Sequence, residues 1–461
     1  MAGIGFELRK LLRRDSFAGL FKAYAYAGII SSGPWVLSIL GILVIGLFSK
    51  KLLTVPDAQI TRFQVSVTYL IMLSLVLTGP IQLSFTRWVA DRLFEKRAAM
   101  IAPNFLGALL IVIVGAGLLG LLAVATLFPG QTNLYRVSFA SGLVVMSGIW
   151  LATIFLSGMK QYKTIVALFG LGYGVSVTGA LLLSRMGMEG LLLGFVVGQF
   201  VLLAGMLVMV LRTLPAERLI AFDFLKRGAM FTSLVWVGLF YNLGVWADKL
   251  VFWAAPEVSQ PIIGPLRASV IYDIPAFLAY LAIIPGMAVF LVRIETDFVE
   301  YYERFYDAVR EGGSLGNIQR LRDEMVFTIR QGLYEILKIQ GITVLLVILA
   351  APRVLDWLGI SHLYLPLLYL DVVAASLQVV LLGLLNIFFY LDRRRVVFGL
   401  TALLLVLNVG LSLVTLQLGA SFYGYGVALA MALAMMITVF VAMLALESKL
   451  HRLEYETFML Q

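Results

Sequence analysis

Apolar runs long enough to cross a membrane recur along almost the whole of this 461-residue chain. A transmembrane helix needs about 20 such residues to cross the ~30 Å hydrocarbon layer. Only structures that pair all of their backbone hydrogen-bonding groups internally are stable there. Charged residues make up 13% of the sequence, about half the share typical of soluble domains. We therefore predict an all-α polytopic membrane protein with no large soluble domain.

The apolar runs divide into twelve predicted transmembrane helices. The first six cover approximately residues 24–48, 63–86, 105–128, 137–158, 164–184 and 190–211. The second six cover approximately residues 229–254, 270–292, 331–350, 363–390, 396–417 and 422–446. Because six spans return the chain to its starting side, the second set has the same orientation as the first. The sequence thus predicts two parallel, pseudo-symmetric six-helix halves, 1–212 and 213–461, with a substrate path between them.

The distribution of basic residues predicts how the chain is oriented. The net charge is +9, and Lys and Arg concentrate in the N-terminal arm, in every second loop and in the C-terminal tail. Loops rich in these residues stay on the cytoplasmic side. Both termini and the polar segment 297–330 are therefore predicted to be cytoplasmic. The first apolar run is too long for the core of a signal peptide, so we interpret it as a retained helix.

Composition also excludes several kinds of chemistry. The chain has no cysteine and only two histidines, which excludes disulfides, thiolate metal sites and a cysteine nucleophile. It contains no G-x-x-x-x-G-K-[ST] phosphate loop and no H-E-x-x-H zinc motif. We predict no catalytic residue, no metal and no cofactor. Because the basic excess follows the membrane topology, we do not expect a nucleic-acid partner.

Two segments in corresponding places of the predicted halves share one pattern. Both "GPIQLSFTRWVAD" (79–91) and "PGMAVFLVRIETD" (285–297) place a Gly/Pro pair before six residues, an arginine, three residues and an aspartate. Proline removes a backbone donor, and a bilayer tolerates irregular backbone only where protein or a water-filled cavity satisfies it. A third pair lies in the first span. We predict inward-facing helix breaks at Gly33, Pro34, Gly79, Pro80, Pro285 and Gly286.

The charged residues of the two patterns are candidates for a cytoplasmic gate. Arg87 and Asp91 follow the second span, and Arg293 and Asp297 follow the eighth. One interpretation is that the arginines are simple anchors of the positive-inside kind. The other is that these residues form salt bridges between the two halves. Both can hold at once.

Ionisable groups inside membrane spans are costly and are candidates for function, and four residues of the predicted spans are such candidates. They are Asp248, Lys249, Asp273 and Asp371, all in the second half and all toward the predicted outer leaflet. They are consistent with a proton or cation site that drives transport, or with an acidic wall that hydrogen-bonds a polar substrate. An internally satisfied Asp-Lys pair is the structural alternative.

Aromatic side chains of the first, seventh and eighth spans present both an apolar face and a polar edge, which suits a sugar. Interfacial belts also use Trp and Tyr. Since three spans that flank the predicted path contribute, we expect some of these rings to contact substrate. They are Tyr24, Tyr26, Trp35, Tyr241, Trp246 and Tyr272.

The longest polar segment, 297–330, joins the eighth and ninth spans. Phe298, Tyr301, Tyr302 and Phe305 recur at helical spacing, which predicts an amphipathic extension of the eighth span, and "GGSLG" ends it. The segment is either a docking surface for a cytosolic partner or a plain loop helix.

Twelve spans in two parallel halves with broken helices resemble the MOP superfamily of flippases and antiporters. The start "MAGIGFELRKLLRRDSFAGLFKAYAYAGIISSGPW" and the stretch "NLGVWADKLVFWAAP" resemble the PelG family of Pel exopolysaccharide exporters, and the resemblance runs over essentially the full chain. It implies an inner-membrane transporter that moves a polymer of N-acetylgalactosamine and galactosamine from cytoplasm to periplasm for the biofilm matrix.

The resemblance also implies partners: the cytosolic glycosyltransferase PelF and the membrane proteins PelD and PelE. The N-terminal arm, the segment 297–330 and "DRRR" (392–395) are the predicted cytoplasmic surfaces available to them. No functional residue is carried over from the family. Two alternatives stay open, a MATE-like cation-coupled small-molecule antiporter and a non-transporting scaffold of a polysaccharide synthase complex.

Overall fold

A computed structural model describes Tyr24 and residues 27–28, 37–46, 48–49, 55–159, 161–216 and 218–459. The chain forms two compact units. We call Pro34–Val270 the N-terminal unit, and Ile271–Gln461 together with Met1–Gly33 the C-terminal unit. The predicted first-span residues Tyr26, Gly33, Pro34 and Trp35 lie outside the described residues.

The N-terminal unit is built from apolar helices and one small hairpin. Its described helices are α1 (Leu37–Gly46), α2 (Asp57–Phe94), α3 (Ile101–Thr126), α4 (Asn133–Gly158), α5 (Tyr162–Leu182), α6 (Met188–Thr213) and α7 (Thr232–Ala254). The hairpin follows α7 and consists of the antiparallel strands β1 (Gln260–Ile263) and β2 (Leu266–Ala268).

Small residues allow α5 and α6 to approach closely. A methyl group on Gly194 would lie 2.2 Å from the backbone nitrogen of Ala180, and one on Gly198 would lie 2.2 Å from that of Ser176. Lipid tails provide no hydrophobic drive between helices, so close backbone packing and interhelical hydrogen bonds hold such pairs together. One such bond runs from the Ser176 hydroxyl to the carbonyl of Phe195 at 3.0 Å.

Helix α2 continues without interruption through Gly79 and Pro80. The predicted helix break at this place is therefore wrong. Hydroxyl side chains supply local hydrogen bonds on both sides of the proline, from Thr78 to the Ser74 carbonyl at 2.7 Å and from Ser84 to the Pro80 carbonyl at 2.8 Å. Membrane helices tolerate proline where neighbouring helices and local adjustments of the backbone compensate for the lost donor.

The C-terminal unit contains further helices, most of them apolar. They are α8 (Val270–Ala279), α9 (Ile284–Val292), α10 (Val299–Arg310), α11 (Leu315–Leu358), α12 (Leu365–Tyr390), α13 (Arg394–Leu418) and α14 (Tyr425–Met459). A 3₁₀ turn, Tyr280–Ile283, joins α8 to α9, and a π-helical turn, Arg293–Phe298, joins α9 to α10. The predicted eighth span thus changes its helical geometry repeatedly.

The predicted amphipathic extension of the eighth span is confirmed as α10. It ends before a turn in which Gly312 has a φ of +70°, a conformation that favours glycine. The next helix, α11, begins at Leu315 and runs for 44 residues. The ninth span was predicted to start near residue 331, but the helix begins at Leu315. Its first turns are polar, which is why the apolar run did not reveal them.

Eleven helical segments in the described part of the chain are long and apolar enough to cross a membrane, with the run Val270–Arg310 from α8 to α10 counted as one. The shorter α1 lies within the predicted first span. The prediction of an all-α polytopic membrane protein is confirmed. The boundary between six-helix halves at residue 212 stays a prediction, and in the structure α7 packs against α2 within the N-terminal unit.

Candidate transport site

The predicted charges Asp248 and Lys249 form a buried ion pair in α7. Their side chains meet through Lys249 Nζ and Asp248 Oδ2 at 3.0 Å, and the residues are 8% and 1% exposed. Taking two charges out of water is costly, so a buried pair is stable only with good geometry and further polar contacts. The structure thus brings together two of the four charges singled out in the sequence.

An aromatic ring contacts this pair, and two more rings extend from it. The Lys249 ammonium lies 5.7 Å from the centre of the Trp246 ring, within the range of a cation-π attraction. The Trp246 and Trp253 ring centres are 6.3 Å apart, and Tyr69 of α2 stacks on Trp253 at 4.5 Å. We call these five residues (Tyr69, Trp246, Asp248, Lys249 and Trp253) the α7 cluster.

Arg267 of the hairpin is hydrogen-bonded to the α7 cluster. The Tyr69 hydroxyl donates to the Arg267 carbonyl at 2.9 Å and accepts from the Arg267 backbone N–H at 3.3 Å. The Arg267 guanidinium donates to the Ser259 hydroxyl at 2.8 Å and to the Ser259 carbonyl at 2.7 Å. One tyrosine therefore joins α2, the end of α7 and β2.

The other predicted path residues occupy different places. Tyr241 lies half-buried near the middle of α7. In the C-terminal unit, Tyr272 is fully buried and Asp273 is half-buried in α8. Asp371 is 5% exposed in α12, between Leu368 and Val372, which pack with alanines of α8 and the 3₁₀ turn.

Each predicted gate pair forms a salt bridge within its own helical segment. Arg87 Nε lies 3.1 Å from Asp91 Oδ1, and the Arg293 guanidinium donates to Asp297 Oδ2 at 2.8 Å. Arg293 also donates to both carboxylate oxygens of Glu335 in α11, at 2.6 and 3.0 Å. Such bidentate, charge-assisted bonds are strong. A role for these pairs as a gate between halves stays a prediction.

The Gly/Pro pairs lie at close helix contacts. A methyl group on Gly79 would lie 2.7 Å from the Gly238 carbonyl oxygen, so the backbones of α2 and α7 touch there. Pro285 and Gly286 lie in the first turn of α9, directly after the 3₁₀ turn. A methyl group on Gly286 would lie 2.6 Å from the Gln340 side chain of α11.

The segment between α6 and α7 is docked onto the start of α3. The Asn104 carboxamide accepts the Asp223 backbone N–H at 2.6 Å and donates to its carboxylate at 3.2 Å. Lys226 Nζ lies 2.6 Å from the same carboxylate. Hydrogen bonds from Lys226 and Asn104 hold the pKa of Asp223 below its ordinary value.

Sequence reasoning missed Tyr69, Trp253, Arg267 and Ser259 of the site. Tyr69 and Trp253 are aromatic residues of predicted spans, and that was the only sign of a role in the site. Their contacts could not be predicted because the partners are distant in sequence. Among the described residues, no group of three or more His, Cys, Asp or Glu side chains is arranged to hold a metal ion.

The described fold resembles solved transporters of the MATE type. A MATE transporter in a bent conformation gives a TM-score of 0.63 at 16% identity, covering 99% of this chain and 100% of that one. A MATE complex with MaD3S gives 0.65 at 14% identity, covering 94% and 97%. A MOP superfamily transporter from Pyrococcus furiosus gives 0.62 at 15% identity, covering 93% and 96%. At these identities the likeness establishes the fold alone.

A search of curated proteins found no match. A protein-family model described as "PelG: Putative exopolysaccharide Exporter (EPS-E)" matches residues 1–458, nearly the whole chain. The solved structures agree with the predicted MOP-type architecture. The family is one of exporters, which agrees with the prediction that the chain is not an enzyme. The chain belongs to the PelG family of exopolysaccharide exporters.

Proposed function

We propose that this exporter moves an amino-sugar-rich exopolysaccharide, Pel, from the cytoplasm to the periplasm for the biofilm matrix. The family match supports export of an exopolysaccharide. The α7 cluster is the observation that favours a carbohydrate. It combines two indole rings and a phenol with a carboxylate and an ammonium within one helix and its neighbour.

The chemistry of the α7 cluster suits a sugar because its aromatic faces can pack against ring C–H groups. Amphipathic rings give a large apolar contact with a polar edge. The Asp248 carboxylate accepts hydrogen bonds only, and the Lys249 ammonium donates only. Together they match hydroxyl and acetamido groups, which both donate and accept. Asp273 and Asp371 are proposed as further polar residues of the path.

In this proposal the chain lies in the bacterial inner membrane with both termini in the cytoplasm. The glycosyltransferase PelF and the membrane proteins PelD and PelE are its proposed partners. The polar start of α11 and the exposed acidic and basic residues of α10 are surfaces to which they could dock.

A complementation experiment tests the function. A deletion strain receives the wild-type chain, the double variant Asp248→Asn with Asp371→Asn, or the control Glu257→Gln, which changes an exposed acid just after α7. Secreted amino-sugar polymer is measured at matched membrane levels. We expect rescue by wild type and control but not by the double variant. Full secretion without any copy of the chain would contradict the function.

The MATE-like fold supports a second candidate, a cation-coupled small-molecule antiporter. The same strains distinguish the two functions. An antiporter of this kind alters resistance to cationic dyes on deletion, whereas a dedicated polysaccharide exporter leaves that resistance unchanged.

A further inference from the structure

A second cluster of aromatic and carboxylate side chains lies in the C-terminal unit, at the π-helical turn between α9 and α10. The Thr296 hydroxyl donates to the carbonyl of Leu291, five residues earlier, at 3.0 Å. π-helical turns are rare in proteins, and those that occur are often found at functional sites. In this turn, Arg293 contacts α11 while Glu295 reaches Tyr390 in α12.

Glu295 is held by a neutral partner. Its Oε2 accepts a hydrogen bond from the Tyr390 hydroxyl at 2.9 Å. The nearby Arg293 guanidinium is bound to Glu335 and Asp297 instead. A carboxylate offers about four acceptor positions, and among the described residues the Tyr390 phenol fills one of those of Glu295. The remaining positions suit the hydroxyl and N–H donors of a polar ligand.

Four aromatic rings form one group that includes Tyr390, the partner of this carboxylate. Phe298, Tyr302 and Tyr306 follow one another at intervals of four residues, so they share one face of the helix. The ring centres of Tyr302 and Tyr306 are 4.6 Å apart, and Tyr390 lies 5.6 Å from Tyr302 and 5.5 Å from Phe298.

The hydroxyl groups distinguish this cluster from ordinary packing. Three of its four rings are tyrosines, and all three are only half-buried. Apolar packing alone would be served equally well by phenylalanine or leucine at these positions.

We propose that Glu295, Tyr302, Tyr306 and Tyr390 form a binding site for one N-acetylhexosamine unit of the exported polymer. The tyrosine rings pack against the sugar ring, and the Glu295 carboxylate accepts hydrogen bonds from sugar hydroxyl or acetamido N–H groups. The predicted topology places this site at the cytoplasmic end of the path. The inference rests on the proposed function and adds a site distinct from the α7 cluster.

Binding measurements on the full-length chain in lipid nanodiscs test this site. The probe is an oligosaccharide of N-acetylgalactosamine, titrated by calorimetry into wild type, Glu295→Gln and Tyr302→Leu. A charged acceptor contributes more to a hydrogen bond than a neutral one, and a lost ring removes stacking area. We expect each variant to bind about tenfold more weakly, a difference of about 1.4 kcal/mol.

The control is Glu303→Gln, an exposed acid on the same helix, which we expect to bind like wild type. Thermal unfolding in the same nanodiscs identifies any variant that does not fold. If Glu295→Gln does not fold, the binding of Tyr302→Leu decides the test. Equal binding by wild type and both folded variants would overturn the site while leaving the proposed function intact. If wild type does not bind the probe, the site is overturned as well, and the secretion experiment judges the function separately.

Discussion

The backbones of Gly79 in α2 and Gly238 in α7 are in direct contact. A methyl group on Gly238 would lie 2.0 Å from the Gly79 carbonyl oxygen, closer than side-chain carbons approach neighbouring atoms. Asn242, one turn further along α7, donates to the Gly238 carbonyl at 3.0 Å. Such small-residue crossings let membrane helices pack closely.

We expect Gly238→Ala to destabilise the protein, because the helices must separate to admit the methyl group. Overpacking of this kind costs about 1–3 kcal/mol. Thermal unfolding in detergent measures the change. The matched control is Gly115→Ala in α3, where no atom lies within 4 Å of the added carbon. Equal unfolding temperatures for the two variants would contradict the close crossing.

Removing one member of the buried pair in α7 should cost more than removing both. Asp248→Asn takes away the carboxylate that Lys249 contacts, and breaking a buried pair costs about 3–5 kcal/mol because a charge is left uncompensated. The double variant Asp248→Asn with Lys249→Gln should recover much of that loss. Unfolding of both single variants and the double variant completes a mutant cycle. Strictly additive losses would show that the two charges do not stabilise each other.

Tyr69→Phe should loosen the hairpin without disturbing the ring stack on Trp253. It removes the hydroxyl that donates to and accepts from the Arg267 backbone, a net contribution of about 0.5–1.5 kcal/mol per hydrogen bond. Hydrogen exchange of residues 260–268 should become faster. Thr61→Val, which removes a hydroxyl bonded within α2, serves as the control. Unchanged exchange in the Tyr69 variant would indicate that other contacts hold the hairpin.

The docking of the α6–α7 connection should weaken in acid. The pKa of Asp223 is lowered in the folded protein, chiefly by hydrogen bonds from Lys226 and Asn104. The carboxylate therefore contributes its full stabilisation above its ordinary pKa and loses it as the pH falls through the lowered value. Hydrogen exchange of residues 218–231, corrected for the intrinsic effect of pH, should report this loss. Asp223→Asn should remove the pH dependence, and its persistence would contradict the assignment.

The positions of the membrane-spanning helices were predictable because each one needs a long apolar run in the sequence. The pairing of Asp248 with Lys249 was also accessible, since the two residues are adjacent in sequence. The contact between Tyr69 and Arg267 could not be predicted, because the residues are 198 positions apart and neither lies in a recognisable motif. Tertiary contacts of this kind depend on how helices pack.

The Gly79-Pro80 pair shows where local reasoning failed. Proline disfavours helix locally, but α2 continues through Pro80, where its backbone packs against α7. Gly79 instead lies at the close crossing of α2 and α7. Its importance lies in the absence of a side chain at Gly79, which admits α7, and that partner could not be identified from one sequence.

The most direct test of the central claim is transport by the purified chain alone. Proteoliposomes containing the wild-type chain, with a labelled N-acetylgalactosamine oligosaccharide outside, are treated with an external glycosidase, and protected label in the lumen is measured. We predict protected label well above that of protein-free liposomes, retained in Glu257→Gln and lost in the folded Asp248→Asn with Lys249→Gln variant. No protected label with a folded wild-type chain would contradict the claim and favour a non-transporting scaffold.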